Sequence, residues 1–134
     1  MMDDKRLTHI DFFGTDFPLC LTVLAQEKIA EDYGNTTKLL EALDDEEDSL
    51  DGLKHWINLL HYLMEGGVAR VKALAFLHGE EATVPTVPTV DQLKDIIGWS
   101  DVRAYTTAIF AAIGVSTTQT VEAEPEKNGE ATQE

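Results

Sequence analysis

Four histidines, one cysteine and a run of five consecutive acids, Asp44 to Asp48, are the residues of this chain with the most chemistry to offer. His9, His55, His61 and His78 are too widely spaced for a zinc site, which needs ligands converging within about 2 Å of one ion. His55 and His61 point about 120° apart on a helical wheel. The acidic run fails as an EF-hand loop opened at Asp44. Ser49 falls where the sharp turn needs glycine, and His55 falls where a bidentate glutamate belongs. Carboxylates are so numerous that no pair stands out as a general acid and base, and nothing in the sequence brings a serine, a histidine and an aspartate together. Cys20 lies between Leu19 and Leu21, the setting of a small buried hydrophobe. Neither GxGxxG nor a GKS/GKT phosphate loop occurs. These residues predict a protein that is no enzyme and uses no cofactor and no metal.

The charge points the same way. A formal net charge of −15 is concentrated at residues 1–48, with 13 acids against 4 bases, and at residues 115–134, with 5 against 1. The centre, 49–114, is nearly neutral at −2. A phosphate backbone needs a basic footprint, so nucleic acid is not an expected partner. No stretch reaches the ~20 apolar residues of a membrane span. The acidic N-terminus lacks the apolar core of a signal peptide. A single cysteine forms no internal disulfide, in keeping with a reducing cytoplasm.

What must position these residues is read from periodicity. Residues 1–114 predict one globular domain, with a hairpin over 7–21 and helices over 22–113, followed by a disordered acidic tail, 115–134. Leu7–Phe13 alternates, Gly14-Thr15-Asp16 is turn chemistry, and Phe17–Leu21 resumes the apolar run. Thr22 is placed to cap a helix ending at Tyr33-Gly34, and Asn35 or Thr36 to open one with Leu39, Leu40 and Leu43 inward.

The longest apolar stripe lies in Ser49–Glu65. Leu50, Leu53, Trp56, Ile57, Leu59, Leu60, Leu63 and Met64 share half of its wheel, with Tyr62 on the polar side. Ser49 is the expected cap and Gly66-Gly67 the expected stop. A separate helix, Val68–His78, is apolar on most sides and should be covered on more than one face. Glu80–Pro88 is extended, with prolines three apart. Thr89 and Gln92 form a capping box for a helix to Ile97. Ser100 should cap the last helix, striped by Val102, Tyr105, Ala108, Ile109, Ala112 and Ile113. The expected fold class is α+β, mainly α, a short N-terminal hairpin packed on about five or six helices.

This order of elements carries small motifs: Phe12-Phe13-Gly14-Thr15-Asp16-Phe17-Pro18-Leu19, Glu31-Asp32-Tyr33-Gly34, and Leu39-Leu40-Glu41-Ala42-Leu43. They resemble the tail assembly chaperones of long non-contractile-tailed bacteriophages. Leu59 to Gly67, His78-Gly79-Glu80 and the Thr89–Ile97 helix are similar to later features of that family, so the resemblance spans roughly residues 7–113. The proline-bearing linker and the five-acid run depart from it.

The resemblance implies a non-enzymatic protein of the host cell cytoplasm, absent from the mature virion. It implies binding to the tape measure protein and assistance to polymerising tail tube protein, with self-association compatible. It also implies that a longer product can arise by ribosomal slippage, for which Glu126-Lys127-Asn128 is a compatible tripeptide. Phe76 and Phe110 lie off their helical stripes and Ile113 lies at a helix end, which marks the three as candidate partner contacts. The alternative reading is an acidic mimic of nucleic acid, of the anti-restriction or anti-CRISPR type. It rests on the charge alone and requires carboxylates fixed on an ordered surface.

Overall fold

The structure, a computed structural model, describes residues 5–45 and 49–122, with side chains through Gly114. The Asp44–Asp48 run is therefore seen only at Asp44 and Asp45. The slippage tripeptide and residues 123–134 of the expected tail lie outside the described residues. Among the described residues, two strands, β1 (Thr8–Phe12) and β2 (Thr15–Leu19), precede five helices. The helices are α1 (Val23–Tyr33), α2 (Thr36–Asp45), α3 (Leu50–Leu77), α4 (Val90–Ile96) and α5 (Trp99–Glu122). The protein is α+β and mainly helical, with its hairpin at the N-terminus.

The hairpin is antiparallel, with Ile10 opposite Phe17 and Phe12 opposite Thr15. Alternation puts Ile10 and Phe12 in the core and His9 and Asp11 outside. The turn is tighter than Gly14-Thr15-Asp16. Phe13 and Gly14 alone form it, at φ 52° and 89°, the two left-handed positions of a turn whose twist matches the strands. Asp11 Oδ1 accepts from the Gly14 amide at 3.0 Å. Thr15 and Asp16 are thereby drawn into β2.

The helix starts follow local chemistry. The Thr22 and Ser49 hydroxyls accept from the amides of Ala25 and Gly52, Asn35 Oδ1 accepts from Lys38 N at 2.8 Å, and Thr89 and Gln92 close a reciprocal box. The last helix starts differently from expectation. Gly98, not Ser100, is the capping residue: its carbonyl accepts from Val102 N, and Asp101 Oδ2 reaches back to its amide at 2.9 Å. The carboxylate competes better than a hydroxyl because it also answers the helix dipole. The same helix is drawn past the expected end at Ile113, to Glu122.

The main correction concerns Gly66-Gly67. They do not stop a helix. They lie inside α3, a single rod of 28 residues, about 42 Å long. A Cβ on Gly67 would stand 2.0 Å from the Pro18 carbonyl oxygen, and one on Gly66 2.1 Å from that of Cys20. The Cys20 amide donates to Leu63 O at 3.1 Å. The outer edge of β2 and the residue after it thus lie directly on the helix backbone, and only glycine permits that approach. Pro18, buried in β2, costs no ladder bond because its missing amide faces this outer edge.

Everything else gathers on α3, against which β2, α1, α2, α4 and α5 all pack. Ile57, Leu59, Leu60, Leu63 and Met64 are buried as the wheel predicts. Leu50 is not: it is the first residue of the helix and is 68% exposed. Tyr62 departs in the other sense and is buried. Its ring lies under α1, and its hydroxyl donates to the Asp32 carboxylate. Cys20 is buried. Beyond Val68 the expected cover is missing, and every residue from Ala69 to Leu77 is exposed or half-buried.

Candidate functional site

Three surfaces carry exposed apolar groups or clustered polar side chains, while Cys20 is buried and His9 lies apart on the hairpin, 3.2 Å from Asp16. The first is the far end of α3. Ala69, Lys72, Ala73, Phe76 and Leu77 are exposed along one helical face, with Phe76 at 82% and Leu77 at 73%. Residues 68–79 contain Arg70 and Lys72, and the exposed Glu80, whose amide donates to Ala75 O, and Glu81 follow directly, so this end is apolar with its charges balanced.

The second surface is a groove of about 330 Å³ between α2, α3 and α5. Leu40, Trp56 and Phe110 form its apolar floor, and Glu41 and Asp44 stand on its α2 side. Phe110 meets Trp56 edge-on, centroids 5.6 Å apart, and stays 47% exposed. Of the three residues picked as contacts, Phe76 and Phe110 therefore present apolar surface on separate faces. Ile113 is buried with Ile109 and Ala112. Its place on the α5 stripe, legible from the spacing, decides its burial, and the helix end expected beside it lies further on, at Glu122.

The third surface is polar. A seam between α1 and α3 opens a groove of about 600 Å³ that includes Asp32, Tyr33, His55, Asn58, Tyr62 and Glu65. Asn58 Nδ2 donates to the Tyr33 hydroxyl at 2.8 Å. That hydroxyl lies 2.8 Å from His55 Nδ1 and donates to it when the nitrogen is unprotonated. Glu65 accepts from Lys28 Nζ at 3.4 Å and lies 3.8 Å from His61 Nε2. Burial, then the bond to Asp32, pushes the Tyr62 phenol well above its ordinary value. Burial likewise raises Tyr33, and the Asp32 charge adds to it against the bond from Asn58.

These groups satisfy one another and clamp α1 to α3. Sequence reasoning missed the seam because its two sides are 22 to 37 residues apart. The one signal was tyrosine on the polar side of a helix otherwise ready for the core. Among the described residues, no three of His, Cys, Asp or Glu are grouped to hold a metal, and no helix is long and apolar enough to cross a membrane.

The seam predicts an alkaline limit to stability. A phenol raised in the folded state favours folding fully below its unfolded pKa and loses that contribution as pH rises through the folded value. Stability should hold on this account up to about pH 10 and fall above it. Tyr62→Phe should flatten the fall and cost about 1 kcal/mol at neutral pH through the lost bond. Urea unfolding of both proteins from neutral to strongly alkaline pH checks this. A parallel decline in the two would show that Tyr62 has no part in it.

No protein-family model, curated protein or solved structure matches this chain.

Proposed function

We propose that this protein is a tail assembly chaperone of a long non-contractile-tailed bacteriophage. In this reading it keeps the tape measure protein in solution in the host cytoplasm until tail tube subunits polymerise around it, and it performs no chemistry. It does not remain in the mature virion. The observation that carries the reading is the uncovered apolar surface on a strongly charged chain. Phe76 and Leu77 stand free at the end of α3, and Phe110 stands half free over its groove. A tape measure protein is long, helical and prone to aggregate. Exposed aromatic anchors and shallow apolar grooves suit the capture of an amphipathic helix. The net charge of −15 keeps such a complex dispersed. The order of elements, hairpin first and then helices with the Tyr33-Gly34 and Leu39-Leu40-Glu41-Ala42-Leu43 motifs, supports the same reading.

Co-expression with the tape measure protein of the same genome should raise the soluble fraction of that protein severalfold. Phe76→Asp, at a position that is 82% exposed, should remove much of the gain while leaving the circular dichroism spectrum intact. An unchanged soluble fraction with the wild-type chain would sink the proposal. Tight binding to a restriction nuclease or a Cas complex would instead favour the nucleic-acid mimic.

A further inference from the structure

The groove between α2, α3 and α5 is apolar in its floor and acidic along one side. Leu40, Trp56 and Phe110 supply the floor, and both charged residues that line it, Glu41 and Asp44, are exposed carboxylates of α2. Asp44 stands in the last turn of that helix, where the dipole already favours a cation, and the turn has no base of its own. Residues 36–48 together carry 6 acids against Lys38 alone. We propose that this groove is the binding site for an amphipathic helix of a partner protein whose apolar stripe is flanked on one side by lysine or arginine.

The form of the occupant follows from the walls. All three are helices, whose backbone groups are paired within the helix, so an extended peptide would find no strand edge to join. A helix brings its own backbone bonds and asks only for apolar contact, which the edge-on pair of Phe110 and Trp56 offers. The sign of the occupant follows from the rim. Bases on the same three helices are engaged elsewhere. The Lys38 side chain lies against Gly34, Lys54 lies 4.0 Å from Asp51, and Arg103 lies over the Trp99 ring, 5.8 Å from its centroid.

This chain does not supply such an occupant. Residues 115–134 carry 5 acids against 1 base, the wrong sign to lie beside Glu41 and Asp44. The end of α3 in a second copy brings Arg70 and Lys72 with Glu80 and Glu81 directly after them, and so no net positive charge. The site rests on the chaperone reading only in that its ligand is a helix. Synthetic helices test it, so a failed co-expression leaves it standing, and a failed titration leaves Phe76 as the capture surface.

Two labelled peptides without tryptophan serve as probes. They share one leucine and phenylalanine stripe and differ only in its flank, lysine in one and glutamate in the other. Titrated with the full chain and followed by fluorescence anisotropy, the lysine peptide should bind at least about tenfold more tightly than the glutamate peptide. Glu41→Lys with Asp44→Lys should invert that order. Glu27→Lys with Glu31→Lys makes the same change of net charge at exposed positions of α1 and should preserve it, which separates the groove from the general attraction of a −15 chain for a base. Phe110→Ala should weaken the lysine peptide at least about fivefold, and Phe76→Asp should leave it unchanged. In Trp99→Phe, where Trp56 is the one remaining tryptophan, the peptide should shift the tryptophan emission. Absent binding of the lysine peptide, equal affinity for the two peptides, an order that survives reversal of Glu41 and Asp44 or is lost on reversal of Glu27 and Glu31, or binding abolished by Phe76→Asp would each overturn the proposal.

Discussion

Gly67→Val should be among the most destabilising single substitutions in this protein, lowering stability by about 3 kcal/mol or more. Even the first carbon of the new side chain would stand 2.0 Å from Pro18 O and 2.3 Å from its carbonyl carbon. Both are backbone atoms, so no rotamer change relieves the overlap. The strand must lift away from α3, which breaks the bond from the Cys20 amide to Leu63 O and loosens Phe17 and Leu19, both buried by the same docking. Valine gains helix propensity over glycine at such a position, yet that gain is less than about 1 kcal/mol. Sterics therefore decide the sign. Gly66→Ala should lose stability for the same reason, against Cys20 O. Gly114→Ala supplies the contrast: it is also helical, a Cβ there meets nothing within 4 Å among the described residues, and it should be neutral or stabilising by up to about 1 kcal/mol. Chemical unfolding of the three variants checks the ordering. A Gly67→Val protein as stable as Gly114→Ala would show that β2 does not rest on the helix backbone.

The same glycine pair shows where sequence reading ends. Local rules placed much of the fold correctly. The hydroxyls of Thr22, Ser49 and Thr89 cap helices because capping is a contact between residues three apart. The alternation of Thr8–Phe12 and the stripe from Ile57 to Met64 were legible because one face of each element is buried. Gly66-Gly67 read as a helix end because the local rule for glycine is a stop. Their real role is set by a strand more than 40 residues earlier, and no local window contains it. Tyr62 was misplaced for a related reason. A phenol counts as polar on a wheel, but its ring is buried once Asp32 on another helix satisfies the hydroxyl.

The candidate surfaces divide along the same line. Phe76 could be chosen from its place off the stripe. The groove around Phe110 could not be foreseen, because α2, α3 and α5 build it together. The seam of Tyr33, His55 and Asn58 was hidden for the same cause.

If α3 is the element on which the fold is assembled, truncating its middle should be costly in a way that truncating its first residue is not. Leu60→Ala should lower stability by about 2–5 kcal/mol, and the melting temperature by about 10 °C. Leu60 is only 3% exposed and belongs to a single core that also takes in Leu59, Leu63, Met64 and Leu93. The loss has two parts. Apolar area returns to water when the protein unfolds with a smaller side chain, and the cavity left behind removes dispersion contacts from its lining. How far the cavity closes decides where in the range the value falls. A surface helix can tilt inward to fill such a space. Here α3 is held from several sides by β2, α1, α2, α4 and α5, and it is fixed to the hairpin through the backbone at Gly66 and Gly67. Collapse from any one side must drag the other packing with it, so the cost should fall in the upper half of the range. Leu50→Ala removes the same atoms from the same helix at a site that is 68% exposed, and it should change stability by less than about 0.5 kcal/mol. Urea unfolding of both variants measures the difference directly. Equal losses at the two positions would mean that the centre of α3 is no more buried than its start.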